Sequence, residues 1–484
     1  MVEVLQTAQK KCALWMDGSL FFRGILGFFN ALIRFFEGSL LISLFTADFD
    51  QEHLRHSYFV RIIEGIFNVF PKLTFPSKFT LPGILGTSAL LRLYADVMGA
   101  SLPAWILLAV VAGAPFLSTM TLAAMIVLVF TLALFRYNFK LDLTAVALLL
   151  FIAINLFMGF GSLAPSYSIS IAALTAVIMS SYLLVRTCFN TRRRLDFVMA
   201  ACISAAAITA LIGFYQIFIG YVNMTWVDRD LFAALRLRVY STFGNPNVYG
   251  TYLLLVIPLS AGLILYAKKS LYKLYAAGVT GLLLIALGLT FSRGCYVALA
   301  GSVLFFMLLV EKRLIVLYIM GLFAMPFVLP PEILDRIVSI VNFTDTSTLY
   351  RISIWQASLR MLGDFWMTGI GQGAEAYNAV YPYYAFSAVT ALHSHNLFLQ
   401  VFLETGIVGI LVFFAVLACF FRTQFSFMRN TTDNRRRFLS AAMASAVIGF
   451  LIQGMFDHAI YNYRVMLVFY LYLAMANCVT ELET

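Results

Sequence analysis

Twelve apolar stretches, each about the length of a bilayer crossing, leave this chain little choice of fold. A spanning helix needs about 17–25 predominantly apolar residues. Runs of that kind fall at roughly 101–116, 118–135, 142–160, 166–186, 196–220, 247–267, 272–290, 294–310, 313–330, 396–421, 438–456 and 462–480. In hydrocarbon every backbone N–H and C=O must be satisfied internally, so such runs read as helices. Composition agrees: of 484 residues, 62% are hydrophobic and only 12% charged, more apolar surface than a water-soluble core of this size buries. The expected fold is all-α, a polytopic integral membrane protein of about twelve transmembrane helices.

The charges fix an orientation. A formal charge of +10 would suggest nucleic acid in a soluble chain, but here the basic residues sit in every second loop. They are Arg136 and Lys140; Arg192, Arg193 and Arg194; Lys268, Lys269 and Lys273; Lys312 and Arg313; and Arg422, Arg429, Arg435, Arg436 and Arg437. The alternate loops contain no lysine. Positively charged loops stay cytoplasmic, so one parity across five loops predicts both ends of the 101–480 region on that side, with no nucleic-acid partner. Segments 161–166, 221–246, 291–293, 331–395 and 457–461 then face outward, and 331–395 is the one large outward loop. The six cysteines are scattered without a CxxC pair, which argues against a disulfide framework and a thiolate metal site.

Residues 1–100 read as a separate unit. Ser19, Arg23, Asn30, Arg34 and Glu37 share one helical face among phenylalanine, leucine and isoleucine, the pattern of a helix lying in the membrane interface. The same charges interrupt the first apolar stretch, so no cleavable signal peptide is expected. Segment 53–98 is mixed and broken by Pro71, Pro76 and Pro82; anchoring is the favoured role.

The residues suited to chemistry lie on the outward side. Two of the five histidines occur in His393-Ser394-His395-Asn396, at the mouth of a long apolar run. Imidazole exchanges protons near neutral pH better than any other side chain. Arg238 precedes one span and Arg293 begins another, against the positive-inside bias. Arginine near a span is costly, and its planar fork matches phosphate oxygens at two points. For Arg229, Arg336 and Arg360, pairing with an acid or snorkelling to headgroups is the preferred reading.

Asn245-Pro246-Asn247 signals a helix start, with Asn247 the plausible cap. Segment 349–359, with Ile352, Trp355 and Leu359 on one face, reads as a helix on the membrane surface. Gly369, Gly371 and Gly373 read as a flexible turn, and Tyr377, Tyr381, Tyr383 and Tyr384 could stack on sugar rings or form an interfacial belt. Asp457-His458, on the last outward turn, could reach the same cavity or serve as a cap. A His393–His395 metal pair lacks a carboxylate cluster nearby in sequence to complete its shell, so no metal and no other cofactor is expected.

Taken in order, these pieces resemble the O-antigen ligase and Wzy-type polymerase superfamily. They are Arg238 with Gly244-Asn245-Pro246-Asn247, Ser292-Arg293-Gly294, Arg351 with Trp355, Gly369-Ile370-Gly371-Gln372-Gly373, and His395-Asn396 followed nine residues later by Gly406-Ile407-Val408-Gly409. The resemblance covers roughly residues 100–480. It implies a GT-C-like membrane fold and a metal-independent glycosyltransferase of the inner membrane of a bacterium. That enzyme would move a glycan from an undecaprenyl diphosphate carrier to a hydroxyl of a glycan or lipid acceptor outside the cytoplasmic membrane. By motif position Arg238 and Arg293 would hold the diphosphate and His395 would assist the acceptor. His393, Asn396, Arg351, Asn245, Asn247 and Tyr377 are the expected substrate-binding residues. Within the superfamily the alternative is a polymerase joining lipid-linked repeat units. From another class, a lipid-glycan flippase or transporter would also have twelve spans, but would show broken mid-membrane helices and related halves.

Overall fold

The structure, a computed structural model, describes residues 57–70, 102–220, 238–341, 346–385 and 390–481, together with Gly24 and Gly27. Among them every regular element is helical. The expected interfacial helix around Ser19–Glu37 and the proline-broken stretch 71–98 lie outside the described residues, except that Gly24 and Gly27 are helical.

In chain order the helices are α1 (Tyr58–Phe67), α2 (Leu102–Gly113), α3 (Thr119–Arg136), α4 (Leu143–Phe160), α5 (Pro165–Cys188), α6 (Arg192–Phe218), α7 (Pro246–Tyr266) and α8 (Ser270–Gly288). Then follow α9 (Arg293–Val310), α10 (Ile315–Val328), α11 (Pro331–Val338), α12 (Thr346–Phe365), α13 (Ala374–Val380), α14 (Leu397–Asn430), α15 (Asn434–Gly454) and α16 (Tyr463–Glu481). Local chemistry sets several of the starts. Ser118 Oγ accepts the Thr121 N–H at 3.2 Å and Asp142 Oδ1 accepts the Ala145 N–H at 2.7 Å, each capping a helix. Pro165, Pro246 and Pro331 occupy first-turn positions, where a missing N–H costs nothing.

All twelve apolar runs fold as helices, and ten of these are long and apolar enough to cross a membrane. The chain is a multi-pass membrane protein. The two short ones are α2, about 18 Å at 1.5 Å per residue, and α10, about 21 Å, against a hydrocarbon thickness of about 30 Å. Gly113 and Pro115 end the first: the N–H groups of Phe116 and Leu117 both fold back onto the Gly113 carbonyl. A one-turn 3-10 helix, Lys312–Leu314, takes up the start of the second run, capped where the Glu311 carboxylate accepts the Arg313 N–H.

The chain divides into two compact units. One comprises 1–48, 210–345 and 421–453; the other comprises 49–209, 346–420 and 454–484. In the first, α7 packs on α8 and α9, and Ser302 Oγ on α9 donates to the Ser445 carbonyl on α15 at 2.7 Å. In the second, α16 is buried along nearly its whole length and packs on α5, which also packs on α3 and α4. A polar knot ties these helix ends. The Arg186 Nε pairs with Asp142 Oδ2 at 2.8 Å, Tyr182 donates to the same carboxylate at 2.7 Å, and Asn477 Nδ2 donates to the Tyr182 oxygen at 2.7 Å. Helix α1 joins this unit through its polar side: Asn68 exchanges two hydrogen bonds with the Phe139 backbone, and Glu64 accepts the Leu141 N–H at 2.9 Å.

Segment 331–395 contains α11, α12 and α13. The apolar face of α12 differs from the sequence expectation. Ile354, Ala357 and Met361 are fully buried and Leu359 is exposed, so the 354/357/361 stripe, one face at helical spacing, is the one that packs. It closes over Ile370, Tyr377, Val380, Tyr381 and Leu403. The helix lies on protein through that stripe.

Candidate functional site

The second unit gathers a cluster of imidazoles around one carboxylate. Asn396 caps α14, its Oδ1 accepting the Leu399 N–H at 3.0 Å while its Nδ2 donates to the Met455 carbonyl. The cap holds the preceding residue, His395, at the helix mouth with φ of 49°, in the left-handed region that a non-glycine residue seldom adopts. There His395 Nδ1 lies 3.1 Å from Asp457 Oδ1. The Asp457 side chain is only 4% exposed and that of His395 27%, so the pair has one buried end and one open end. Asp457 Oδ1 also accepts the His458 backbone N–H at 2.9 Å.

The electrostatics keep Asp457 anionic. Burial alone would raise its carboxyl, but the hydrogen bond and the charge interaction with His395, and then the charge of Arg351, outweigh burial and hold it well below the usual carboxylate range. An ionised carboxylate can only accept, so the hydrogen of the His395–Asp457 contact sits on Nδ1, and in the neutral imidazole the lone pair is then at Nε2. His393 is different. Burial, then its neighbour His395, lower its pKa to about 4. Its Nδ1 accepts the His395 backbone N–H at 3.2 Å, and its ring stacks on Tyr461 at 4.9 Å. Burial and then His393 push His458 down to about 3. Asp457 is the member that sequence reasoning left undecided. It lies 62 residues from His395, and only its place on an outward turn signalled it.

The glycines that follow hold this mouth rigid. Gly406, at φ 65°, breaks the helical path of α14. The break frees the Leu403 and Glu404 carbonyls, which accept the N–H groups of Ile370 at 2.8 Å and Gly371 at 3.2 Å; in return Ile407 N–H reaches the Trp366 carbonyl at 2.8 Å. A Cβ on Gly406 would stand 2.2 Å from the Met367 carbonyl oxygen, and one on Gly369 2.7 Å from that of Glu404. The Gly369–Gly373 segment is therefore a fixed plug against the kink, where the sequence suggested a flexible turn. Further bonds pin it: Ser162 Oγ donates to the Ile370 carbonyl, Ser168 Oγ to the Gln372 carbonyl, and Gly373 N–H to Glu404 Oε1. The same carboxylate accepts from Gln400 Nε2 at 2.9 Å, and Gln400 Oε1 accepts the Ser394 N–H at 2.7 Å. A polar chain thus runs from the plug to the histidine loop.

Other expected residues take different places. Arg351 on α12 lies near enough to act electrostatically on both His393 and Asp457. Tyr377 is fully buried, shares a 2.8 Å hydrogen bond with Ser358 and stacks on Tyr381. It is a core residue, which corrects its reading as a sugar platform; of the four tyrosines Tyr383 is the open one, 85% exposed.

In the first unit the two expected arginines meet one turn. Arg238 Nε donates to the Thr290 carbonyl at 2.8 Å and its terminal nitrogen to Asn247 Oδ1 at 3.0 Å. Arg293, the first residue of α9, donates to the Ser339 carbonyl at 3.1 Å. Arg336, assigned from sequence to an acid or headgroups, donates to the Phe291 carbonyl at 3.1 Å. The guanidinium groups of Arg238 and Arg336 thus hold the turn between α8 and α9, and Arg293 begins the helix that follows it. The helix cap is Asn245, not Asn247: Asn245 Oδ1 accepts the Asn247 N–H at 2.8 Å, and the Asn247 side-chain Oδ1 is left to orient Arg238. Ser241 and Phe291, beside these arginines, share with His395 the left-handed backbone; they are the three such non-glycine residues among those described. Arg229 lies outside the described residues.

An all-helical multi-pass membrane protein, with a histidine–aspartate pair at a helix mouth and an arginine-bracketed turn, is the class these features define. Residues 278–414 match a family model described as O-antigen ligase, which supports the superfamily of O-antigen ligases and Wzy-type polymerases over that stretch. That family implies a glycan-transferring enzyme working on lipid-linked glycans and acceptors in a membrane. The matched stretch contains Arg293, Arg351, the glycine plug, His393, His395 and the Gly406 kink, while Arg238 and Asp457 lie outside it. No curated protein matches the chain.

Proposed function

We propose that this protein transfers a glycan from an undecaprenyl diphosphate carrier to an acceptor hydroxyl on the outer side of the bacterial cytoplasmic membrane, without a metal ion. The observation that carries this reading is the 3.1 Å His395–Asp457 contact, buried at the carboxylate and open at the imidazole. Asp457 fixes the tautomer, so His395 Nε2 takes the acceptor proton as the acceptor oxygen bonds to the anomeric carbon. The bond from that carbon to phosphate breaks, and undecaprenyl diphosphate leaves with the electron pair. A positioned base contributes about 10²–10⁴-fold. Arg238 and Arg293 would hold the diphosphate oxygens, each charge-assisted bond stabilising by roughly 1.5–3 kcal/mol.

Of the two transfers within the superfamily we favour ligase, on the complete His395–Gly409 motif. Purified protein is given undecaprenyl-diphosphate-linked repeat units, then a separate acceptor such as a lipid A-core or cell-wall glycan. Product only after the second addition is expected; a ladder of longer lipid-linked glycans without it would make the protein a polymerase. His395→Ala should abolish transfer while the protein stays folded in detergent, and full activity in that variant would refute the assignment. Arg238→Lys and Arg293→Lys should each weaken binding of a lipid diphosphate, because lysine cannot reproduce two-point contact.

A further inference from the structure

We propose that the His393–His395–Asp457 cluster also binds Zn²⁺, and that the bound ion blocks transfer. One potential ligand atom from each of the three residues lies within 4.8 Å of the other two. Zinc takes imidazole nitrogen and carboxylate oxygen at about 2.0–2.2 Å, so a tetrahedral shell has edges of about 3.4 Å. The His395–Asp457 edge, at 3.1 Å, is already near that length. The His393 ring centroid is 4.2 Å from that of His395, and ion binding requires this ring to turn from its contacts with the His395 N–H and Tyr461 to shorten the longer edges. A second observation points the same way: His458 Nδ1 is buried with no hydrogen-bond partner, and its ring centroid lies 5.6 Å from that of His393. A fourth nitrogen donor thus stands beside the three. The partly open His395 side chain gives the ion an entry path.

The consequence for transfer rests on the function proposed above; the binding does not. A neutral imidazole coordinating through Nδ1 must carry its hydrogen on Nε2, so the Nδ1 proton leaves to solvent and Nε2 takes one up. Coordination through Nε2 occupies the lone pair directly. Either way His395 can no longer accept the acceptor proton, and the ion also competes for the Asp457 carboxylate.

The full-length protein, purified in detergent with His53→Ala and His56→Ala to remove the other two histidines outside the cluster, is titrated with Co²⁺ and Zn²⁺. One equivalent of Co²⁺ should give visible absorption bands that one equivalent of Zn²⁺ displaces. Zinc should raise the melting temperature, and the rise should continue with the logarithm of free zinc once the site is filled. His393→Ala and Asp457→Asn should each weaken Zn²⁺ affinity at least tenfold. Absence of a saturable one-equivalent site in the histidine-reduced protein, a measurement that needs no cluster variant to fold, overturns the proposal. So does unchanged affinity in folded His393→Ala. In the transfer assay micromolar Zn²⁺ should inhibit and a chelator should restore the rate; transfer unaffected at saturating zinc refutes the inhibitory role. A protein that binds zinc in one equivalent yet transfers no glycan would sustain the site and defeat the function.

Discussion

At the scale of single residues, His395 is held in a conformation its own backbone disfavours. Non-glycine residues in the left-handed region cost on the order of 1–3 kcal/mol, and such strain persists only where the surroundings over-determine it. The Asn396 cap on one side and the Asp457 contact on the other supply that determination. Asp457 then acts through His395 and not on substrate, so Asp457→Asn should lower the maximal transfer rate by about 10²–10⁴-fold and leave donor binding near wild type. A loss confined to donor affinity would contradict this. Two of the histidines give a pH signature. His393 and His458 have folded pKa values lowered to about 4 and about 3, below the 6.5 of the unfolded chain. Between roughly pH 6.5 and 4 the unfolded state binds these protons and the folded state does not, so stability falls as pH falls. Melting temperature in detergent should drop across that window. The drop should be shallower in His458→Asn, and an equally steep one would remove His458 from the account.

At the scale of elements, the kink in α14 decides whether the histidine loop has a floor. An unbroken helix would keep the Leu403 and Glu404 carbonyls for itself. The break at Gly406 hands them to Ile370 and Gly371, and the plug that forms there is wired through Glu404 and Gln400 to Ser394. Gly406→Ala brings both a disfavoured φ and a Cβ at 2.2 Å from a backbone oxygen that cannot swing away. A loss of more than about 2 kcal/mol is expected, read as a lower melting temperature together with lost transfer. Gln400→Ala cuts the polar chain while leaving the kink intact. It should keep most of the stability and reduce transfer; wild-type transfer in that variant would show that the chain positions nothing.

For the whole molecule, the alternating basic loops predict which segments face outward, and this is open to a direct test. Single cysteines at Ser347 and Ser387, in a background lacking the six native ones, should react with an impermeant thiol reagent added outside cells. The same reagent should leave cysteines at Thr191 and Thr432 unlabelled. Labelling of the second pair would invert the orientation and place the histidine loop in the cytoplasm.

The sequence by itself determined the helices. Apolar runs and their breaks are local quantities, and each of the twelve runs is a helix because lipid leaves its backbone no other partner. The motif glycines and histidines were legible for the same reason, as short-range patterns. Three things were decided only in the tertiary structure. Asp457 joins His395 across 62 residues, a proximity that no spacing rule encodes. The Gly369–Gly373 segment became a plug because carbonyls freed by a kink in a distant helix needed donors. Tyr377 and the buried stripe of α12 found their places through packing, which selects a face by what lies opposite it. Arg336 shows the same limit: its sequence neighbourhood suggested a lipid headgroup or an acid, and the fold gave it the Phe291 carbonyl, beside Arg293.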